Sequence, residues 1–226
     1  MEPKEERLRT PRAAGLAGTV FALLLAAAIV LVRIAIPTGN AADETVAPNE
    51  QWAVRTALEI LPFTGIFFLW FMGALRARVG DAEDRFVATV FLGSGLVFVA
   101  TMFGAGAAAG SVLSQPSAFG RHFAYTLMTT YALRMAAVFV FTASTIGHRL
   151  GVLPRPLALF GYLVGLVLLV AGSSLPWSEL VFPAWALVVS LHLLRVGLRA
   201  PRAAEHPLAH ADGRGTRTGQ GKADPR

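Results

Sequence analysis

The chain has 226 residues, a mean hydropathy of +0.56 and only 15% charged residues, whereas soluble domains carry about 25%. It has no cysteine, which excludes disulfides, thiolate metal sites and cysteine nucleophiles. The formal net charge of +6 comes from arginines that flank apolar segments, a distribution typical of membrane orientation rather than of nucleic-acid binding.

Six apolar stretches predict an all-α integral membrane bundle of six transmembrane helices. A helix needs about 20 apolar residues to cross a hydrocarbon core of roughly 30 Å. The predicted spans lie at about 14–37, 52–75, 86–110, 122–147, 156–173 and 177–194, within a membrane domain of residues 14–195. The first is too long for the apolar region of a secretory signal, which has about 7–15 residues. A basic N-terminal segment (1–13) and a basic tail (196–226), predicted to be disordered, flank the domain.

Loops rich in lysine and arginine alternate with loops that have few or none, and this alternation predicts the orientation. They are concentrated in the N-terminal segment, in the loops after spans two and four, and in the tail. The loop after span one, TGNAADETVAPNEQ, has three acids and no base, the loop after span three has only Arg121, and the last turn has none. The positive-inside rule therefore predicts that both termini are cytoplasmic. The expected location is the plasma membrane.

The fourth predicted span carries a polar residue at every fourth position, namely His122, Thr126, Thr130 and Arg134. On a helix of 3.6 residues per turn these side chains form one stripe that ends near mid-membrane. Threonines alone would be explained by bonds to their own backbone carbonyls. An arginine at that depth costs about 2.5–3.5 kcal/mol on insertion scales, so the stripe is predicted to face other helices or a cavity.

A carboxylate on the second span is the predicted partner of Arg134. Arg55 and Glu59 share one helix face. Counted from the outer helix ends, Glu59 lies about 10 Å and Arg134 about 18 Å deep, a difference that the long arginine stem can bridge. The sequence thus predicts a Glu59–Arg134 ion pair. The alternatives are a local Arg55–Glu59 pair, which leaves Glu179 as the acid for Arg134, and a shared cluster of all four.

Two prolines predict helix kinks beside this cluster. Pro62 follows Glu59 by three residues, and Pro183 follows Glu179 by four. Each removes a backbone hydrogen bond, and kinks in membrane helices often border cavities, although prolines are also commoner in spanning helices generally. We expect an opening on the outer side between spans two, four and six. The bulky segment Phe67–Phe71 is expected to close it on the cytoplasmic side.

Pairs of glycines four residues apart occur in spans three and five, at Gly106–Gly110 and Gly161–Gly165. This spacing lets helix backbones approach closely. We expect it to serve packing inside the chain, with a dimer interface as the alternative.

Two stretches of the chain carry a family resemblance. They read LEILPFTGIFFLWFMGALRARVGDAEDRFVATVFLGSG (58–95) and LRMAAVFVFTASTIGHRLGVLPRPLALFGYLVGL (133–166), together about a third of the chain. They resemble a group of actinobacterial multi-pass membrane proteins of unknown function. The resemblance implies a six-helix protein of the cell membrane, and it implies no substrate, cofactor or catalytic residue.

Three functions are compatible with these features. The favoured one is a structural or accessory membrane protein whose partners are lipids, another membrane protein or further copies of the chain, with no nucleic acid. The alternative is a small transporter or permeation protein with an outward-facing vestibule around Glu59 and Arg134. The third is a membrane haem or redox protein, for which the only candidate ligands are His148 and His192 near helix ends. No catalytic spacing is recognisable, so no enzyme, cofactor or metal is expected.

Overall fold

The computed structural model describes residues 11–35, 48–79, 85–170 and 177–199. Every element in these ranges is helical. The elements are α1 (Pro11–Ala35), α2 (Gln51–Val79), α3 (Arg85–Ser114), α4 (Ala118–Thr126), a π-helical segment (Leu127–Ala132), α5 (Leu133–Arg149), α6 (Arg155–Val170), a 3₁₀ turn (Ser178–Leu180) and α7 (Val181–Arg199). We refer to α4, the π-helical segment and α5 together as span four. Most of the predicted N-terminal segment and tail lies outside the described residues.

Five helical stretches are long and apolar enough to cross a membrane. They are Ala13–Ala35, Gln51–Ala77, Arg85–Ser114, Ala118–Arg149 and Ser178–Val196. The remaining helix, α6, is apolar but has only 16 residues, or about 24 Å at 1.5 Å per residue. The described chain is therefore an all-helical protein with five helices of membrane-spanning length and one shorter apolar helix.

Neighbouring helices run antiparallel and form a continuous bundle. α1 packs along α2 and α7, α3 packs against α2 and span four, and α6 packs on α5. A hydrogen bond of 3.2 Å between the hydroxyls of Thr145 and Tyr162 also joins α5 to α6. We call the end of the bundle where α1 and α3 finish, and where α2 and span four begin, the upper end.

Eight aromatic side chains from five helices form the centre of the core, which we call the aromatic layer. Its members are Phe21, Phe68, Phe71, Phe91, Phe98, Phe139, Phe182 and Trp185. Neighbouring ring centroids lie 4.8 to 6.4 Å apart, mostly in tilted or edge-on arrangements, as the quadrupoles of the rings favour. Because lipid is as apolar as these side chains, close packing rather than escape from water holds such a layer together.

Glycines bring the backbones of adjacent helices close together. Gly161 of α6 lies against the side chains of Ser144 and Trp185, and Gly106 of α3 lies against Leu61 of α2. A β-carbon at either position would overlap these neighbours. The prediction that the paired glycines serve packing within the chain is confirmed at these two positions.

Span four begins earlier than the sequence predicts and is irregular in its upper half. The helix starts at Ala118 because the hydroxyl of Ser117 accepts a hydrogen bond from the backbone N–H of Gly120 at 3.3 Å, which makes Ser117 an N-cap. No residue of α4 is buried, and its contacts are mainly with α3. The π-helical segment then joins α4 to α5, whose buried face contacts α3 and α6.

Substitution of Gly161 by alanine is expected to lower the free energy of unfolding by about 1–3 kcal/mol, because the added methyl group overfills the contact with Ser144. The matched control is Gly93→Ala in α3, where a β-carbon would meet nothing within 4 Å. That variant is expected to leave stability unchanged or raise it by up to about 1 kcal/mol. Denaturant unfolding of the detergent-solubilised protein, followed by circular dichroism, distinguishes the two. Equal stabilities would contradict the packing assigned to Gly161.

Candidate functional site

An ion pair at the upper end joins α1 to the 3₁₀ turn before α7. Arg33 Nη2 donates hydrogen bonds to Glu179 Oε1 and Oε2 at 2.8 and 2.7 Å. The two side chains are only 12% and 15% exposed. Within the part of the chain that the structure describes, this is the one salt bridge. Its two charges also suit their helices, because Arg33 is in the last turn of α1 and Glu179 is in the 3₁₀ turn that leads into α7.

Trp177 also contacts Arg33 of this ion pair. The guanidinium carbon of Arg33 lies 5.6 Å from the centroid of its ring, within the range of a cation–π interaction. Trp177 has a φ of 66°, a left-handed conformation that costs about 1–2 kcal/mol for a residue with a side chain. Such strain persists only where the surrounding contacts fix the backbone, and it is commonest at functional sites.

A cavity of about 180 Å³ lies directly beneath the ion pair, and we call it the upper cavity. Its walls are apolar side chains of α1, α2, α3 and span four, among them Leu25, Leu61 and Met102. The polar lining residues are Arg33, Arg121, Tyr125, Thr129 and Glu179. Their charges lie at the upper end, so the cavity has a charged mouth and an apolar interior.

Span four turns a different face to this cavity from the one predicted. Arg121, Tyr125 and Thr129 line the cavity, whereas His122 and Arg134 are exposed on the outside of the bundle. Thr126 and Thr130 are half-buried and do not line the cavity. The inward stripe starts one residue earlier than the predicted one.

The structure does not bring Arg134 and Glu59 together, because they lie at different depths. Glu59 is next to Leu58, which packs at Gly110 of α3, whereas Arg134 lies between the levels of Gly104 and Gly95. Arg134 is therefore about ten residues, or roughly 15 Å, further from the upper end. Arg55 and Glu59 are both exposed and form no ion pair with each other in the described structure.

Arg134 bonds to its own helix instead. Its Nη1 donates to the carbonyl oxygen of Thr130 at 2.9 Å, within the π-helical segment. The predicted stripe fails from its first residue, because span four is rotated so that Arg121 faces the cavity and His122 faces outward.

The two prolines occupy different environments. Pro62 is exposed in the interior of α2, which remains helical on both sides of it. Pro183 is buried in the first turn of α7, directly after the 3₁₀ turn. The first turn of a helix has no intrahelical partner for its N–H groups, so proline is tolerated there. Neither proline lines the upper cavity.

Two of the charges at the cavity mouth were missed by sequence reasoning. Arg33 stands near the end of the first apolar stretch and has no site role in the sequence analysis, which treats Arg121 only as a loop residue. The signal that could have found Arg121 is the spacing of Arg121, Tyr125 and Thr129, which matches that of the predicted stripe. Glu179 is named in the sequence analysis as the reserve acid, and its partner is Arg33.

Comparison with protein-family models, with curated proteins and with solved structures gives no match for this chain. The resemblance to actinobacterial multi-pass membrane proteins therefore stays a prediction. The functional interpretation depends on the geometry of the upper cavity and its charged mouth.

A double-mutant cycle tests the ion pair. Arg33→Gln and Glu179→Gln are each expected to destabilise the protein by about 1–3 kcal/mol, because each leaves a largely buried charge without its partner. The double variant should lose less than the sum of both, with a coupling of about 1 kcal/mol or more, measured by denaturant unfolding. Arg55→Gln, which removes an exposed arginine, should change stability by less than about 0.5 kcal/mol. Strict additivity of the two single changes would show that the pair is not formed.

Proposed function

We propose that this protein is a six-span accessory protein of the plasma membrane that binds a membrane amphiphile in the upper cavity. The observation that carries the proposal is an apolar cavity of about 180 Å³ with its charged residues at one end. An engineered apolar cavity of about 150 Å³ is large enough to bind benzene. The upper cavity therefore has room for an apolar group of comparable size, such as part of a lipid chain.

The polarity of the cavity matches that of a lipid. A molecule with an apolar chain and a polar head can place its chain among residues such as Leu25 and Leu61 while its head meets Arg33 and Arg121. An empty apolar cavity forfeits dispersion contacts along its walls, so an occupant that fills it stabilises the protein. The looser packing of α4, which has no buried residue, favours access from the side of the bundle.

Binding is favoured over passage because the aromatic layer lies beneath the cavity. The deepest lining residues, Leu61 and Met102, lie one to two helical turns above Phe68 and Phe98. These rings are buried and in contact, with centroids 5.2 Å apart. A transport function would require a path through this layer, and a binding function requires none.

The orientation that we propose places the upper end outside the cell and both termini in the cytoplasm. It follows from the arginine-rich loops at the opposite end of the bundle and from the positive-inside rule. α6 then completes six spans, with its short apolar stretch accommodated by local thinning of the bilayer.

Filling the upper cavity is expected to displace the bound amphiphile. Ala109 lines the cavity, and Ala100 is exposed on the same helix outside it. Ala109→Phe should lower the amount of co-purified lipid, measured by native mass spectrometry, about tenfold or more, which corresponds to about 1.4 kcal/mol. Ala100→Phe should leave it unchanged. Equal lipid content in both variants would count against the cavity as the binding site.

Single cysteines test the orientation cleanly, because the chain has none of its own. A cysteine at Ser117, exposed at the upper end, should react with a membrane-impermeant maleimide in intact cells. A cysteine at Ala77, exposed near the opposite end, should react only after the cells are permeabilised. The reverse pattern would invert the proposed topology.

A further inference from the structure

The mouth of the upper cavity holds more hydrogen-bond donors than the protein itself uses. Two arginines, Arg33 and Arg121, and one carboxylate, Glu179, line the same cavity. The inference drawn from them rests on the proposed function, and it concerns the head of the amphiphile rather than its chain.

Arg33 is oriented by Glu179 but is only partly satisfied by it. Both hydrogen bonds to the carboxylate come from Nη2, whereas a guanidinium has five N–H donors on three nitrogens. Nε and Nη1 form no hydrogen bond to a described residue, and neither is a buried atom without a partner. These two nitrogens therefore remain accessible to a ligand while the pair with Glu179 stays intact.

Arg121 has fewer of its hydrogen-bond donors satisfied than Arg33. Its Nε is buried and has no hydrogen-bond partner, and the guanidinium forms no bond to any residue in the described ranges. A buried donor left unsatisfied destabilises the protein, and more so when it is charged. The other two guanidinium nitrogens, Nη1 and Nη2, are not among the buried atoms without a partner, so they remain accessible to an acceptor from outside the chain.

The charges at the mouth define the ligand class. Arg33 and Arg121 contribute two positive charges and Glu179 one negative charge, so the site carries a net charge of +1. A singly charged anion neutralises this site, whereas a dianion overcompensates it. Planar guanidinium groups match the oxygens of phosphate and carboxylate with paired, charge-assisted hydrogen bonds.

We propose that Arg33 and Arg121 together bind the singly charged phosphodiester head of an anionic phospholipid whose chain occupies the upper cavity. Arg121 supplies Nη1 and Nη2, Arg33 supplies Nε and Nη1, and Glu179 is a positioning residue that holds Arg33 in place. The ring of Trp177 contacts the Arg33 guanidinium and helps to hold it at the mouth.

The test compares phosphatidylglycerol with phosphatidylcholine of the same acyl chains, added to the delipidated full-length protein and measured by native mass spectrometry. Wild type should prefer phosphatidylglycerol about tenfold or more, which corresponds to about 1.4 kcal/mol, because its phosphodiester accepts charge-assisted hydrogen bonds from both arginines and no choline cation offsets its charge. Arg121→Gln and Arg33→Gln should each reduce that preference about tenfold while phosphatidylcholine binding is retained. Arg121→Gln decides the matter if loss of the ion pair prevents Arg33→Gln from folding.

Arg55→Gln is the matched control. Arg55 is near the same end of the bundle, since α2 begins there, but it is exposed on the outside of α2. Any arginine near a membrane surface attracts anionic lipid, and this variant removes that general effect alone. It should keep the lipid preference. If Arg55→Gln and Arg121→Gln weaken the preference equally, the preference is a surface effect and the proposed head-group site is wrong.

Two further outcomes distinguish this inference from the proposed function. If wild type binds both lipids equally and Ala109→Phe abolishes both, the cavity binds chains but the head-group assignment fails. If wild type binds neither lipid, the proposed function itself fails. Inorganic phosphate is added as a competitor, and displacement of phosphatidylglycerol to the level of phosphatidylcholine by millimolar phosphate would assign the arginines to a soluble anion instead.

Discussion

Contact between aromatic rings from five helices is the interaction on which the rest of this bundle depends. In a bilayer, helices gain little from leaving lipid, so shape and dispersion must hold them together. Large flat rings provide many contacts per residue, and Phe68 touches rings of α1, α3, α5 and α7 at once. The layer also divides the molecule. Above it the helices separate around the cavity of about 180 Å³, and at its lower side Gly161 packs against Ser144 and Trp185.

The charged side chains that line the cavity lie at the upper end of the bundle. A largely buried ion pair contributes little net stability, because desolvation of the charges offsets their attraction. Its value here is geometric, since Glu179 and Trp177 fix one arginine at the mouth of the cavity. Arg121 has no such partner among the described residues. The contrast between a positioned cation and an unsatisfied one is the basis on which a binding site, rather than a structural salt bridge alone, is proposed at this end.

The helices could be predicted from the sequence better than their faces. Apolar length identifies five helices of membrane-spanning length, because a bilayer permits few alternatives, whereas the fifth predicted span is a helix of only 16 residues. The partner of Arg134 could not be predicted, because depth counted from uncertain helix ends carries errors of several residues and span four turns a different face to the cavity from the predicted one. The ion pair of Arg33 with Glu179 joins residues 146 positions apart. Nothing in their local sequence spacing relates them, and only the packing of α1 against α7 brings them together.

The separation between α4 and the aromatic layer has a consequence for how this protein can evolve. α4 has no buried residue and contacts mainly α3, yet its residues Arg121 and Tyr125 line the cavity. Substitutions in α4 can therefore change the lining of the cavity with little effect on the buried core. Under the proposed function, the residues that set ligand preference and those that fold the chain form largely separate sets, and selection can act on them separately.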